Sequence, residues 1–425
     1  MKTWLIAAGG LALIAGVGAK LLLWPADDIG PPAMPAGLGK QQLVARGAYL
    51  AKAGDCMACH TTRGGVPYAG GRTLQTPFGA IVSPNITPDR ETGIGSWTAD
   101  DFWRAIHNGK SKDGRLLYPA FPYPNYTKVR REDSDALHAY FQSLPAHRQA
   151  NAPHALRFPY NQQLALAGWR ALYFRPAVYR DDRAQSVEWN RGAYLVQGLG
   201  HCSACHSSRT TLGGSEEGLS GGLIPALGWY APSLTSNAEA GLGDWDTAHI
   251  VELLHTGVSP RATVFGPMAE VVRQSLQYLD HADVQAMAVY LKSLPDTSPP
   301  ARPVPRDTSD AATRQLAQGA ALYETHCASC HQTDGKGMPP GYPPLAGNRA
   351  ILTSSPVNAI RIVLNGGFAP GTAGNPRPYG MPPFGAVLDD GEVAAVVSHV
   401  RASWGNDAPA VSAREVNRYR SVPLE

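Results

Sequence analysis

Every cysteine of the chain lies in one of three copies of a single pentapeptide: Cys56-Met-Ala-Cys59-His60, Cys202-Ser-Ala-Cys205-His206 and Cys327-Ala-Ser-Cys330-His331. At the chain's own residue frequencies, only about 0.003 CxxCH matches arise by chance. The pattern is that of c-type haem attachment. Two thiols add to the haem vinyl groups as thioethers, and the adjoining histidine is set under the iron as its proximal ligand. Structural disulfides would not require a histidine after each pair. A zinc ribbon needs two CxxC knuckles ~15–20 residues apart, whereas successive motifs here lie 146 and 125 residues apart. A thioredoxin-like site would be single. The motifs therefore predict three covalently bound haems c, on Cys56 and Cys59, Cys202 and Cys205, and Cys327 and Cys330, with His60, His206 and His331 as axial ligands.

Around these motifs the 425-residue chain repeats itself three times. Arg46-Gly-Ala-Tyr-Leu50, Arg191-Gly-Ala-Tyr-Leu195 and Gly319-Ala-Ala-Leu-Tyr323 each precede a haem motif as a short amphipathic helix. Middle helices are predicted near Ala99–His107, Thr247–Leu254 and Val357–Leu364, each stopped by Asn-Gly or Thr-Gly. Closing helices follow over Asp133–Leu144, Asp280–Leu294 and Asp389–Trp404; the first two end in Ser-Leu-Pro. The domains fall at 43–150, 186–295 and 309–405, joined by an irregular stretch at 146–185 and a Pro-rich one at 295–308. Apolar residues make up 44%, enough for real cores, while 45 glycines and 36 prolines call for long loops. A net charge of +3 gives no basis for nucleic-acid binding.

The N-terminus sets the compartment. Trp4 to Trp24 is apolar or small except for Lys20, close to the ~20 residues that span a bilayer. Lys2 precedes the run, and Asp27 and Asp28 follow it, which orients the body outward. Segment 1–25 is expected to be a retained anchor helix; the alternative is a cleaved signal peptide with a weak site at Val17-Gly-Ala19. Either way the chain is exported.

Longer motifs carry a family resemblance that covers nearly all of the chain after the anchor. They are Gly54-Asp-Cys56-Met-Ala-Cys59-His60-Thr61, Thr76-Pro-Phe-Gly79, Asn85-Ile-Thr-Pro-Asp89, Gly93-Ile-Gly-Ser-Trp97, Gly228-Trp-Tyr-Ala-Pro232 and Ser403-Trp-Gly-Asn406. With them the chain resembles the triheme membrane-bound cytochrome c subunit of bacterial periplasmic dehydrogenases, the alcohol-, gluconate- and aldehyde-oxidising complexes. The resemblance implies a mainly α fold of three tandem class I cytochrome c-like domains with long Gly/Pro-rich loops. It also implies a subunit that takes electrons from a catalytic dehydrogenase partner and passes them to ubiquinone or the respiratory chain, on the periplasmic side of the inner membrane. In class I cytochromes c a proline carbonyl accepts the proximal His Nδ1–H; Pro84, Pro232 and Pro343 stand where that proline would be, a plain loop turn being the alternative.

An electron-transfer haem usually carries Met or a second His opposite the proximal His. Met381, in Tyr379-Gly-Met381-Pro-Pro-Phe384, and Met268, in Phe265-Gly-Pro-Met268, occupy the distal loops of repeats three and two. Met287 is placed in a helical core and Met338 in loop packing. Repeat one departs from the pattern. Phe121, in Leu117-Tyr-Pro-Ala-Phe121-Pro-Tyr123, stands where relatives commonly have Met, and no methionine lies between Met57 and Met268. The distal ligand of haem one is left open among His107, His138, His147, His154, Met34 and an open or water-bound site behind Phe121. A similar Tyr-Pro-Ala-Phe-Pro-Tyr segment belongs to cytochromes paired with molybdenum hydroxylases. Three functions follow: an electron-transfer subunit without catalysis of its own, a freestanding cytochrome linking quinol to an oxidase, or a peroxidase-like enzyme using haem one. The resemblance favours the first, and the absence of a GxGxxG, P-loop, HExxH or GxSxG signature fits it.

Overall fold

The computed structural model describes residues 38–216, 218–237, 240–296 and 307–422. The expected anchor at 1–25 and Met34 lie outside the described residues. Among the described residues, no helix is long and apolar enough to cross a membrane.

The protein is mainly helical, and the same series of elements occurs three times. Leading helices are Lys40–Ala53, Val187–Gln197 and Asp310–His326, each running into a one-turn helix that carries the haem motif, Cys56–His60, Ser203–His206 or Ala328–His331. Middle helices are Ala99–Asn108, Thr247–Thr256 and Val357–Asn365; closing helices are Arg131–Ser143, His281–Ser293 and Asp390–Ala402. The boundaries follow local chemistry. Thr98 and Asp101 form a reciprocal capping box at the first middle helix, and Asp389 and Glu392 form another at the third closing helix. All three middle helices stop at a glycine with positive φ: Gly109 at 59°, Gly257 at 84° and Gly366 at 63°. Such angles are costly for any residue with a Cβ, so the Asn-Gly and Thr-Gly pairs end the helices where expected.

Leading and closing helices cross at one glycine in each repeat. A Cβ on Gly47, Gly192 or Gly319 would overlap the carbonyl oxygen of Ala136, Ala286 or Ala395 respectively. The crossing is thus backbone on backbone, which lets two short helices bury a common core. In repeat three that core is Tyr323, Ile360, Leu364, Val393, Val396 and Val397. Each such side chain contributes ~1.5–3 kcal/mol of burial. Strands are few and short. Thr73–Thr76 pairs antiparallel with Gly79–Val82, which also pairs with Ala155–Leu156. Gly222–Ile224 pairs with Trp229–Ala231, Val258–Ser259 with Ala262–Thr263, and Gly367–Phe368 with Gly380–Met381.

The residues gather into two compact units. The first consists of Cys59–Arg180 and Thr210–Gly214 with the described residues up to Ala51; the second holds Lys52–Ala58, Asp181–Arg209 and the residues from Ser215 onward, and so contains repeats two and three together.

Three features differ from the sequence-based expectation. The stretch 146–185 is partly ordered: helix Gln163–Tyr173 packs Leu166 and Ala167 on Leu116, and its Arg170 donates to the Asn108 carbonyl at 2.7 Å. A further helix, Ala413–Arg420, lies past the expected end of repeat three. It is capped by a Ser412–Glu415 box and places the fully buried Val416 in the third core. Met338 is not packed in its loop but 48% exposed, because the turn that pairs it with Tyr342 points it outward. Met287 is 2% exposed, a core residue as expected.

The glycine crossing yields a direct test. Gly192→Val should cost about 3 kcal/mol or more by denaturant unfolding, since neither backbone can yield. Gly168→Ala, within helix Gln163–Tyr173 and facing open space, should instead stabilise by ~0.5–1 kcal/mol. Equal effects at the two positions would show that the crossing is not the tight point.

Candidate haem sites

Each motif histidine is fixed by the same bond. His60 Nδ1 lies 2.8 Å from the Pro84 carbonyl, His206 Nδ1 lies 2.7 Å from that of Pro232, and His331 Nδ1 lies 3.0 Å from that of Pro343. A carbonyl only accepts, so Nδ1 carries the proton and Nε2 presents its lone pair, the tautomer that ligates iron. Burial pushes His206 down to about 4, against the pull of the Pro232 carbonyl and with a further push from nearby Arg349. Burial also lowers His60 and His331. All three rings are therefore neutral at pH 7, as metal ligation requires.

The accepting loops are themselves held by buried polar side chains. Asn85, beside Pro84, donates to the His147 carbonyl at 2.8 Å and to Thr92 Oγ1 at 3.1 Å, while its Oδ1 accepts from Thr87 N–H at 2.9 Å. Ser233, beside Pro232, bonds Thr235 Oγ1 at 2.9 Å. In repeat three the work is done from a distance: Asn406 accepts from Gly347 N–H at 2.8 Å and donates to the Leu345 carbonyl at 3.0 Å and that of Val400 at 2.8 Å. Asn406 thus ties the Pro343 loop to the closing helix.

The six cysteines are thiols rather than disulfides and are half-buried, each pair separated by two residues across a helical turn that also carries the histidine. Burial pushes the Cys202 thiol up to about 12 and Cys327 to about 11, so both stay protonated. Two thiols and one neutral, oriented imidazole per motif fit the donor set of haem c. Among the described residues, no group of three or more His, Cys, Asp and Glu side chains is arranged to hold a bare metal ion.

The distal candidates sit in related places. Met268 is the second residue of helix Pro267–Gln274, after the hairpin that follows Gly257. Met381 ends the strand that pairs with Gly367–Phe368, immediately after Gly366. Both are partly buried. In repeat one, half-buried Phe121 packs edge-on against Tyr126 at 5.4 Å. The histidines offered for that site make contacts of their own, and His107 makes the same Nδ1–H bond to a carbonyl as the motif histidines. His107 is a core residue, fully buried, donating from Nδ1 to the Thr127 carbonyl at 2.8 Å and stacked on Trp103 at 4.3 Å. His138 uses Nε2 on the Trp97 carbonyl at 3.1 Å. His154 accepts from Val82 N–H through Nδ1 at 3.2 Å, so its proton sits on Nε2, the wrong tautomer for ligation through that atom. His147 takes part through its main chain.

Residues 44–145, 190–295 and 316–404 match the cytochrome c family. The chain belongs to the cytochrome c family, among the cytochrome c subunits of dehydrogenases. It is 40% identical over 401 residues to the gluconate 2-dehydrogenase cytochrome c subunit of Pantoea cypripedii, covering 89% of both chains. It is 40% identical over 404 residues to the cytochrome c subunit of the quinone alcohol dehydrogenase of Gluconobacter oxydans, covering 90% of this chain and 83% of that one. It is also 39% identical to a nicotinate dehydrogenase subunit of Pseudomonas putida, over 95% of this chain but 34% of that longer protein. The CxxCH pairs of this cytochrome c thus fall where its family carries haem c. The proline partners were readable as loop positions; the Asn406 tie was not, because Asn406 lies 75 residues beyond His331.

Asn406→Ala should leave the Gly347 amide and two carbonyls without their side-chain partner. It should cost about 2–3 kcal/mol in thermal unfolding. An unchanged melting temperature would mean the loop is held by other contacts.

Proposed function

We propose that this cytochrome c is the electron-transfer subunit of a membrane-associated dehydrogenase complex and carries three covalent haems. Cys56 and Cys59, Cys202 and Cys205, and Cys327 and Cys330 would tether them. His60, His206 and His331 would ligate the irons, with Met268 and Met381 as distal ligands of the second and third. The observation that carries this reading is the threefold recurrence of one neutral imidazole, its Nδ1–H on a proline carbonyl, next to a thiol pair. When bound, haem c supplies a one-electron centre at each site. The protein's share is to orient each ring, shield it from water and fix its charge environment.

Electrons would come from a catalytic partner of the alcohol, gluconate or aldehyde type or from a molybdenum hydroxylase, and pass to ubiquinone or a downstream cytochrome or oxidase. The relatives named as subunits of gluconate, alcohol and nicotinate dehydrogenases support such a partner. The apolar run from Trp4 to Trp24 supports a place on the periplasmic face of the bacterial inner membrane.

Intact-mass measurement of the holoprotein should give three haems, falling to two in each of the variants Cys56→Ser/Cys59→Ser, Cys202→Ser/Cys205→Ser and Cys327→Ser/Cys330→Ser. Rapid haem reduction should need both the partner dehydrogenase and its substrate. Oxidation of alcohols or aldehydes by the purified chain alone would sink the proposal.

Haem one separates itself from the other two. With Phe121 in its distal loop, the reduced holoprotein should bind carbon monoxide at one haem of three, and Phe121→Met should abolish that binding. Carbon monoxide binding at none of the three in the unaltered protein would show that another residue fills the site.

A further inference from the structure

Within the second unit, repeat three reaches into the proximal loop of repeat two. Arg349 opens the short helix Arg349–Leu352, six residues beyond Pro343, whose carbonyl takes His331. Its guanidinium is buried against repeat two. Nε donates to the Ala240 carbonyl at 2.5 Å, and Nη2 donates to the carbonyl of Ser233, the residue next to Pro232. Its centre lies 5.5 Å from the Trp245 ring. The charge is retained: burial lowers Arg349 to about 9, with attraction to Asp244 opposing the drop, and that still leaves it protonated at neutral pH. Asp244 is itself engaged with Arg261 at 2.6 Å. The Ser233 carbonyl that Arg349 takes is one residue from the Pro232 carbonyl that accepts from His206 Nδ1.

We propose that Arg349 is a positioning residue for the second haem: it clamps the Pro232–Ser233 loop that orients His206 and holds a fixed positive charge beside it, raising the reduction potential there. This rests on the reading of Cys202, Cys205 and His206 as a haem c site. Reduction adds one negative charge to the centre, so a nearby cation favours the reduced form. In a water-poor interior that effect is weakly screened. Net charge and hydrogen bonding around the axial ligand are recognised levers on haem potential.

The clamp has a second, independent anchor that keeps a variant foldable. Asn358 of repeat three accepts from Tyr230 N–H at 2.9 Å and donates back to the Tyr230 carbonyl at 2.8 Å. Arg361 covers the Trp229 ring at 4.9 Å. The segment from Trp229 to Ser233 therefore stays docked when Arg349 alone is changed.

The test is optical redox titration of the full-length holoprotein, preceded by a haem count from intact mass. Arg349→Gln and Arg349→Met should each keep three haems and lower one of the three midpoint potentials, leaving the other two in place. Arg349→Lys, which keeps the charge, should restore most of the lost potential. In a Cys202→Ser/Cys205→Ser background, which lacks the second haem, Arg349→Gln should move neither remaining wave. Three haems with unmoved potentials would overturn the proposal, as would a shift that persists without the second haem. A Lys variant displaced as far as the Gln variant would also overturn it. Fewer than three haems in the unaltered protein would count instead against the haem assignment itself.

Discussion

The hydrogen bond from each motif histidine to a proline carbonyl is the constraint around which the rest of the repeat is arranged. It needs a carbonyl with no other claim on it, and a proline supplies a rigid loop to present one. It needs that loop to be fixed against the helix pair, which Asn85 does locally in repeat one and Asn406 does from the far end of repeat three. It needs the motif turn to start at a defined point, which the leading helix provides by ending just before it. And it needs leading and closing helices close enough to carry both ends of this arrangement, which Gly47, Gly192 and Gly319 allow. Proton position then decides chemistry. With Nδ1–H committed to a carbonyl, Nε2 is left to bind metal, and burial keeps the ring neutral.

Periodicity and punctuation made most of this legible in the sequence. The apolar spacing of Leu137, Tyr140 and Phe141, or of Val393, Val396 and Val397, marks a helix face without help from the rest of the chain. The Asn-Gly and Thr-Gly stops are local conformational demands that glycine alone meets easily. The Cys-x-x-Cys-His spacing is chemistry on one helical turn. Contacts made at long range were not legible. Helix Gln163–Tyr173 has an ordinary composition, and its reason to exist is the site on Leu116 and the Asn108 carbonyl it covers. Helix Ala413–Arg420 is strongly polar, and it docks through Val416 and Tyr419 on the core and through Asn417 and Arg420 on Asp390. Met338 shows the same limit from the other side, since the direction of a loop side chain depends on how the turn pairs, here with Tyr342, and not on hydrophobicity.

Repeat one shows how far copies of one plan can diverge while the proximal half is kept. Its histidine bond matches the others within 0.2 Å, at 2.8 Å against 2.7 Å and 3.0 Å. Phe121 stands in its loop where repeats two and three carry Met268 and Met381. Of the surrounding histidines, His154 accepts from Val82 N–H through Nδ1, while the buried His107 donates from Nδ1 to the Thr127 carbonyl as the motif histidines do to their prolines. Under the proposed haem assignment, the proximal half would hold the group in place and the distal half would set its ligand field, so only the second could vary without losing the first.

A chain with so much glycine and proline faces a general difficulty: its loops carry many carbonyls that no helix or strand ladder satisfies, and some of them are buried. Buried arginines meet much of this demand. Arg170 takes the Asn108 carbonyl at the end of a middle helix, Arg401 takes those of Pro409, Ile351 and Thr353, and Arg349 takes those of Ala240 and Ser233. A guanidinium has five donors in a fixed plane, so one side chain can close several strands of loop at once. The cost is a charge held away from water, offset by carbonyl dipoles and by aromatic faces such as Trp245 beside Arg349 and Phe174 beside Arg170. That is why a net charge of +3 says little about the surface of this protein: part of its positive charge is held inside, as the joints of its loops. Where such a joint lies beside the loop that holds a motif histidine, as Arg349 does at Ser233, a structural requirement of the loops would also become an electrostatic property of the proposed haem site.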